Sequence, residues 1–132
     1  MKSKKIILIV LITMAISSFP GDALAQNKNL VVRIAKLQID SAQLESYKVM
    51  LKEEIETSVR VEPGVLSLNA VYEKNNPTHV IIMEIYANVD TYRSHIETPH
   101  FQKYKSGTMQ MVKSLELVET TPIALAAKPK IQ

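Results

Sequence analysis

From Leu30 to Ile39 the chain reads LVVRIAKLQI, with apolar residues on both parities of an extended segment. Leu30, Val32 and Ile34 share one face, and Val31, Ala35, Leu37 and Ile39 share the other, so the pattern predicts a strand that is apolar on two sides. Asp40 to Gln43 then offers a helix N-cap with a capping-box partner three residues on. Leu44, Tyr47, Leu51, Ile55 and Val59 follow at spacings of three and four, which is one helical face, with Lys48, Lys52, Glu53 and Glu56 outside it. Glu62-Pro63-Gly64 ends this helix. Val65 to Tyr72 predicts a second strand with Leu66, Leu68, Ala70 and Tyr72 on one face. Asn75-Asn76-Pro77 is a turn signal, and His79 to Tyr86 a third strand, with Val80, Ile82, Glu84 and Tyr86 on one side and Ile81, Met83 and Ile85 on the other. Asn88 or Asp90 can cap a short helix through Tyr92 and Ile96. Pro99 suits the first position of a further helix running to about Met111 and packed through Met109 and Met111. Ser114 to Val118 is the last predicted strand.

The order is β-α-β-β-α-β, an α+β, ferredoxin-like pattern with an antiparallel sheet and helices on one face. Helices on one face leave the other open, yet the first and third strands are apolar on both faces. A second copy of the same sheet, packed face to face in an isologous homodimer, is the simplest cover.

Composition narrows the picture. The 132 residues hold 16 Lys plus Arg and 13 Asp plus Glu, a formal charge of +3, and no cysteine or tryptophan. Without cysteine there is no disulfide, thiol nucleophile or metal-thiolate site. Met1 to Lys5 carries three lysines, Ile6 to Ile16 is uncharged, and Ala23-Leu24-Ala25 places small residues where a signal peptidase cuts. As a helix the uncharged run would span about 16 Å, roughly half of a ~30 Å hydrocarbon core. Residues 1–25 therefore read as an export signal, residues 26–120 as one domain and 121–132 as a tail. The expected location is the periplasm or the exterior, with no membrane attachment after cleavage. Removing residues 1–25 leaves 13 basic and 12 acidic groups. That near-neutral balance takes away the charge argument for nucleic acid.

Four motifs stand in order: Glu62-Pro63-Gly64-Val65-Leu66, Pro77-Thr78-His79-Val80, Glu84-Ile85-Tyr86 and His95-Ile96-Glu97-Thr98-Pro99-His100-Phe101. Together they resemble the antibiotic biosynthesis monooxygenase (ABM) domain, a family of dimeric α+β barrels, over roughly Leu30 to Thr120. The resemblance implies a pocket between sheet and helices, no metal and no flavin or other cofactor, and a quinol or similar small aromatic as substrate together with molecular oxygen. In such chemistry the substrate anion itself supplies electrons to oxygen, and the protein deprotonates it, holds it and excludes water.

His95 is the expected general base, because a neutral imidazole accepts a phenolic proton near pH 7; a helix-end packing role is its alternative. His100 is expected to support it, or to sit only at the helix start. Their spacing of five is not the i, i+4 pair that places two metal ligands on one helical face. Glu84 is a charge on an apolar strand, either positioning substrate and its water or pairing with Arg33 or Lys36. Tyr86 shares its face and either orients a polar substrate or packs. Haem-degrading relatives carry a tryptophan at the position of Tyr86 and an axial histidine at that of Lys105, so the resemblance does not extend to haem. Two further readings stay open: an isomerase of a small dicarbonyl compound, related to the autoinducer-2-processing branch, and a non-catalytic small-molecule-binding module.

Overall fold

β-Branched residues at Val31, Val32, Ile34 and Ile39 favour the extended first strand, β1 (Val31–Ile39), in a computed structural model that describes residues 28–129. A 3-10 turn (Ser41–Gln43) leads into α1 (Leu44–Val61). Then come β2 (Val65–Glu73), β3 (Asn76–Tyr86), α2 (Val89–Ile96), α3 (Pro99–Thr108) and β4 (Val112–Thr120). The sheet is antiparallel throughout, in the order β2-β3-β1-β4. This is the expected α+β, ferredoxin-like fold. The expected signal segment and the last residues of the tail lie outside the described residues. Among the described residues no helix is long and apolar enough to cross a membrane.

The core lies between the sheet and the helices. Ala35, Leu37 and Ile39 of β1 and Val80 and Ile82 of β3 pack with Tyr47 and Leu51 of α1 in one cluster. Val65, Leu68 and Tyr86 form a second cluster nearer α2. The alternation predicted for β1 and β3 is the one observed. In β2 it is not: the register shifts between Val65 and Ser67, and this bulge places Val65 with Leu68 on the helix face in place of Leu66. The helical face of α1 also differs from the expected one. Tyr47, Leu51, Glu54 and Ser58 are its buried residues, while Val59 is 46% exposed.

Several ends are set by local hydrogen bonds. Asp40 caps the 3-10 turn by accepting from the Ala42 backbone N–H at 3.1 Å. The reciprocal half of the expected capping box is absent, because the Asp40 N–H already donates to the Met111 carbonyl at 2.8 Å. Of the two candidate caps for α2 it is Asn88 that serves, accepting from the Thr91 N–H at 2.8 Å. Thr98 caps α3 with Pro99 at its first turn. That helix stops at Thr108, short of the expected Met111, and Met109 is 62% exposed at its end instead of packing.

The turn from α1 to β2 approaches α2 so closely that a Cβ on Gly64 would collide with the Thr91 side chain. Thr91 cannot easily turn away, since its hydroxyl and its N–H both bond Asn88. Gly64→Ala should therefore destabilise the fold by about 1–3 kcal/mol, the usual cost of overpacking, read as a lowered Tm and denaturation midpoint.

Candidate active site

A cavity of about 620 Å³ opens between the helix face of the sheet and the three helices. Its walls are largely apolar, with Ala35, Leu37, Leu68 and Ile82 from the sheet and Phe101 from α3. Into this apolar space project His95, Glu54, Glu84, Tyr86 and Arg33. A second groove of about 480 Å³ along α1 and β2 contains no histidine. Such a concave apolar site with a few converging polar groups is the usual form of a small-molecule site.

His95 is the centre of the arrangement. It lies on the last turn of α2 and is 2% exposed. Its Nδ1 is 2.9 Å from Oε2 of Glu62, and its Nε2 is 3.5 Å from Oε1 of Glu54. The rings of Tyr86 and Phe101 flank it, with centroids at 5.3 and 5.1 Å. His100 Nε2 is 2.7 Å from the same Glu62 oxygen. Burial would raise Glu62, but the hydrogen bonds and charges of His100 and His95 outweigh it and hold the carboxyl below its usual range. An ionised carboxylate only accepts. Both facing nitrogens therefore carry hydrogen, and neutral His95 presents the lone pair of Nε2 on the side of Glu54.

Glu54 was not among the residues singled out by motif, and Glu62 only as part of a helix stop. The signal for them was nevertheless present. Tyr47, Leu51, Glu54, Ser58 and Glu62 recur at helical spacings, so the buried stripe of α1 changes from apolar to polar along its length. Among the described residues the buried polar side chains are Glu54, Ser58, His95 and Thr108, and Glu54 stands within reach of both Ser58 and His95. Ser58 Oγ donates to Oε1 of Glu54 at 2.7 Å. Burial is the largest influence on Glu54 and pushes its carboxyl up despite this hydrogen bond and the nearby histidines.

Glu84 faces the helices as its strand parity predicts. Its hydrogen-bond partner is neither Arg33 nor Lys36 but Tyr86, whose hydroxyl donates to Oε2 at 2.9 Å. Arg33, opposite Glu84 in the β1–β3 register, instead bonds Glu119 at 2.7 Å and stacks over the Tyr92 ring at 4.4 Å. Tyr86 is 1% exposed, and burial, then the adjacent Glu84, push its hydroxyl well above the ordinary phenolic range. The structure thus brings His95, Glu84 and Tyr86 to one cavity. His100 stands behind it, joined to His95 through Glu62.

Burial raises the Glu84 carboxyl, only partly offset by Tyr86 and Arg33. A carboxyl raised on folding contributes stability below its unfolded value of about 4.3 and loses it as pH rises through the folded value. Glu84→Gln should therefore melt higher than wild type at pH 7.5 and alike near pH 4, a comparison that two thermal scans make.

Glu62, His95 and His100 offer three donor atoms within 4.8 Å of one another, so they are the described residues that could hold a metal ion. The separations of 2.7 and 2.9 Å to Glu62 are, however, hydrogen-bond distances. Ligands about a tetrahedral ion with ~2.05 Å bonds stand roughly 3.3 Å apart. An ion would have to displace both hydrogen bonds, and Glu62 and His100 do not line the cavity.

The family model for antibiotic biosynthesis monooxygenases matches residues 30–106. Among solved structures, a candidate antibiotic biosynthesis monooxygenase from Bacteroides thetaiotaomicron is 54% identical, with a TM-score of 0.75, over 79% of this chain and 99% of that one. A candidate monooxygenase from Lactobacillus acidophilus is 34% identical, with a TM-score of 0.66, over 67% of this chain and 42% of that one. A candidate antibiotic biosynthesis monooxygenase from Nitrosomonas europaea shares the fold at 20% identity and a TM-score of 0.68, over 72% and 91% of the two chains. Among curated protein sequences no match is found. With more than half of its length matched by the family model, and a fold shared with these structures, the chain belongs to the antibiotic biosynthesis monooxygenase family.

Proposed function

We propose that the protein is an exported, cofactor-independent monooxygenase that oxidises a quinol or similar small aromatic with molecular oxygen. The observation that carries this reading is a buried histidine, with one nitrogen free to accept, set among carboxyls and aromatic rings inside a mainly apolar cavity. An aromatic diol fits such walls through its ring, and its hydroxyls require an acceptor and donors at the polar positions. His95 Nε2 takes the phenolic proton. Glu62, on Nδ1, fixes the tautomer and stabilises the imidazolium that forms. His100 donates to Glu62 and so holds that carboxylate in place. Glu84, oriented by Tyr86, positions the second substrate oxygen or a water at the other polar point of the wall. The low polarity of the remaining walls keeps the phenolate and reduced oxygen species away from bulk water.

Oxygen uptake by metal-stripped, processed protein with a panel of hydroquinones tests the assignment. Uptake at an undiminished rate after chelation, with hydroxylated or quinone products, is the expected result. Absence of uptake with every hydroquinone overturns it, and turnover in the absence of oxygen would instead favour a proton-transfer isomerase.

The working form is a homodimer on this reading. Ile34, Ile81, Met83 and Ile85 alternate onto the sheet face opposite the core cluster, an apolar surface that the single chain leaves partly exposed. Packing two such faces removes both from water. Light scattering at micromolar concentration should give twice the protomer mass, and Ile81→Lys should shift the particle toward the monomer. Export to the periplasm, or beyond the cell, follows from the basic, apolar and small-residue order of residues 1–25. Recovery of full-length, uncleaved chain from the cytoplasm of the native cell would refute it.

A further inference from the structure

We propose that Glu54 is a catalytic residue of this cavity, the acid that returns the substrate's proton to reduced oxygen while His95 serves as the base. The inference rests on the monooxygenase reading above and adds a residue to it. Four observations support it. Glu54 lines the cavity, on the wall formed by α1. It is only 6% exposed, so it has no solvent role to explain its charge. Its Oε1 lies 3.5 Å from His95 Nε2, the nitrogen that Glu62 does not occupy. Ser58 fixes that same oxygen from one turn along the helix. A structural ion pair does not demand such a placement, because Glu62 already satisfies His95 with a shorter contact on its other side.

The chemistry needs two proton positions. Deprotonation of the substrate hydroxyl breaks its O–H bond and leaves the proton on Nε2. The phenolate ring carbon then bonds to dioxygen, giving a peroxide anion on that carbon. Glu54, as the carboxylic acid, protonates the distal peroxide oxygen, and the imidazolium proton moves across to its carboxylate. The carbon next loses its hydrogen as a proton to Nε2 while the O–O bond breaks. The departing hydroxide takes the proton held by Glu54 and leaves as water, and the proton on Nε2 returns to Glu54. The substrate loses four electrons in all. One oxygen atom ends in the new carbonyl and the other in water, so no proton is exchanged with solvent. A buried pair sharing protons suits that closed cycle better than an exposed base would.

Burial, the largest influence, raises the Glu54 carboxyl, the direction that suits a proton donor. The ionisable groups that bear on it come from α1, α2, α3 and β3. They are Tyr47 on its own helix and Glu62 at that helix's end, His95 from α2, His100 and Tyr104 from α3, and Glu84 and Tyr86 from β3.

The experiment compares wild type, Glu54→Gln and Glu54→Asp by two readouts. In hydroquinone oxidation, Glu54→Gln should lower kcat by ~10²–10⁴-fold with KM changed less than about threefold. Hydrogen peroxide should be released in place of oxygenated product, and Glu54→Asp should recover part of the rate. A kcat within about threefold of wild type and an unchanged pH profile would overturn the inference while leaving the monooxygenase reading intact. The second readout needs no turnover. 4-Nitrophenol bound in the cavity should ionise at lower pH than in water, followed by phenolate absorbance, because its proton enters the His95–Glu54 pair. In Glu54→Gln that shift should shrink by at least about one pH unit, since an amide cannot give up a proton to balance the imidazolium charge. Equal ionisation in both proteins, or no binding to wild type at millimolar concentration, would overturn the proposal even if no hydroquinone is oxidised.

Discussion

His95→Ala should reduce kcat/KM for hydroquinone oxidation by ~10²–10⁴-fold, the range for loss of a positioned general base. The same substitution removes the side chain that separates two carboxyls. Glu62 keeps His100 and Glu54 keeps Ser58, but both lose the imidazole between them. Breaking a buried charged network by deleting one partner costs about 3–5 kcal/mol. The variant should thus melt well below wild type as well as turn over slowly. His95→Gln separates the two effects. A glutamine amide can donate to Glu62 but offers no titratable nitrogen, so much of the stability should return while the rate does not. Recovery of activity in His95→Gln, or full activity in His95→Ala, would remove His95 from the role of base. Circular dichroism melts and initial rates on the same preparations make the comparison.

The second large effect is expected at Glu62. Glu62→Gln replaces the carboxylate by a neutral amide whose oxygen, in the place of Oε2, can still accept from both N–H groups but carries no charge. Both bonds drop from a charged to a neutral acceptor, a loss of about 1 kcal/mol each. The effect should depend on pH in a defined direction. The Glu62 carboxyl is held below its ordinary value by His100 and His95 against the opposing effect of burial. A group lowered on folding contributes stability above its unfolded value, about 4.3, and loses it as pH falls through the folded value. Wild type should therefore lose stability steeply on acidification below pH ~4, and Glu62→Gln should show a flatter limb there. Parallel urea midpoints from pH 3 to 7 decide it. If the two profiles run parallel, Glu62 is not the acceptor that fixes the histidines.

Much of this arrangement was legible in the chain before any coordinates. The two-sided apolar pattern of β1 and β3 placed Glu84 and Tyr86 on one face with Val80 and Ile82, and the structure keeps them there. The His95-to-Phe101 motif marked the helix pair that carries both histidines. What failed were features set by longer-range geometry. The bulge in β2 cannot be read from apolar alternation, since one inserted residue reverses the parity of everything before it. Val59 fits a spacing of four and Ser58 does not look apolar, yet Ser58 is the one buried, because Glu54, one turn back on the same helix, is buried with it and accepts its hydroxyl proton. The partner of Glu84 was sought among cations and is a tyrosine two residues along its own strand.

By itself the sequence determined the order of elements, the antiparallel α+β architecture and the faces of the central strands, because periods of two and near 3.6 are local properties of the backbone. It also narrowed the chemistry, since a chain without cysteine has no thiol nucleophile and no metal-thiolate site. Only the tertiary structure decided which of those side chains meet. Glu62 and His95 are 33 positions apart, and His95 and Glu54 are drawn from different helices. Their contact depends on how α1 crosses the sheet beside α2, with Gly64 allowing the close approach. Proton chemistry depends on separations of a few ångströms between groups, and those distances are fixed by packing, not by spacing along the chain.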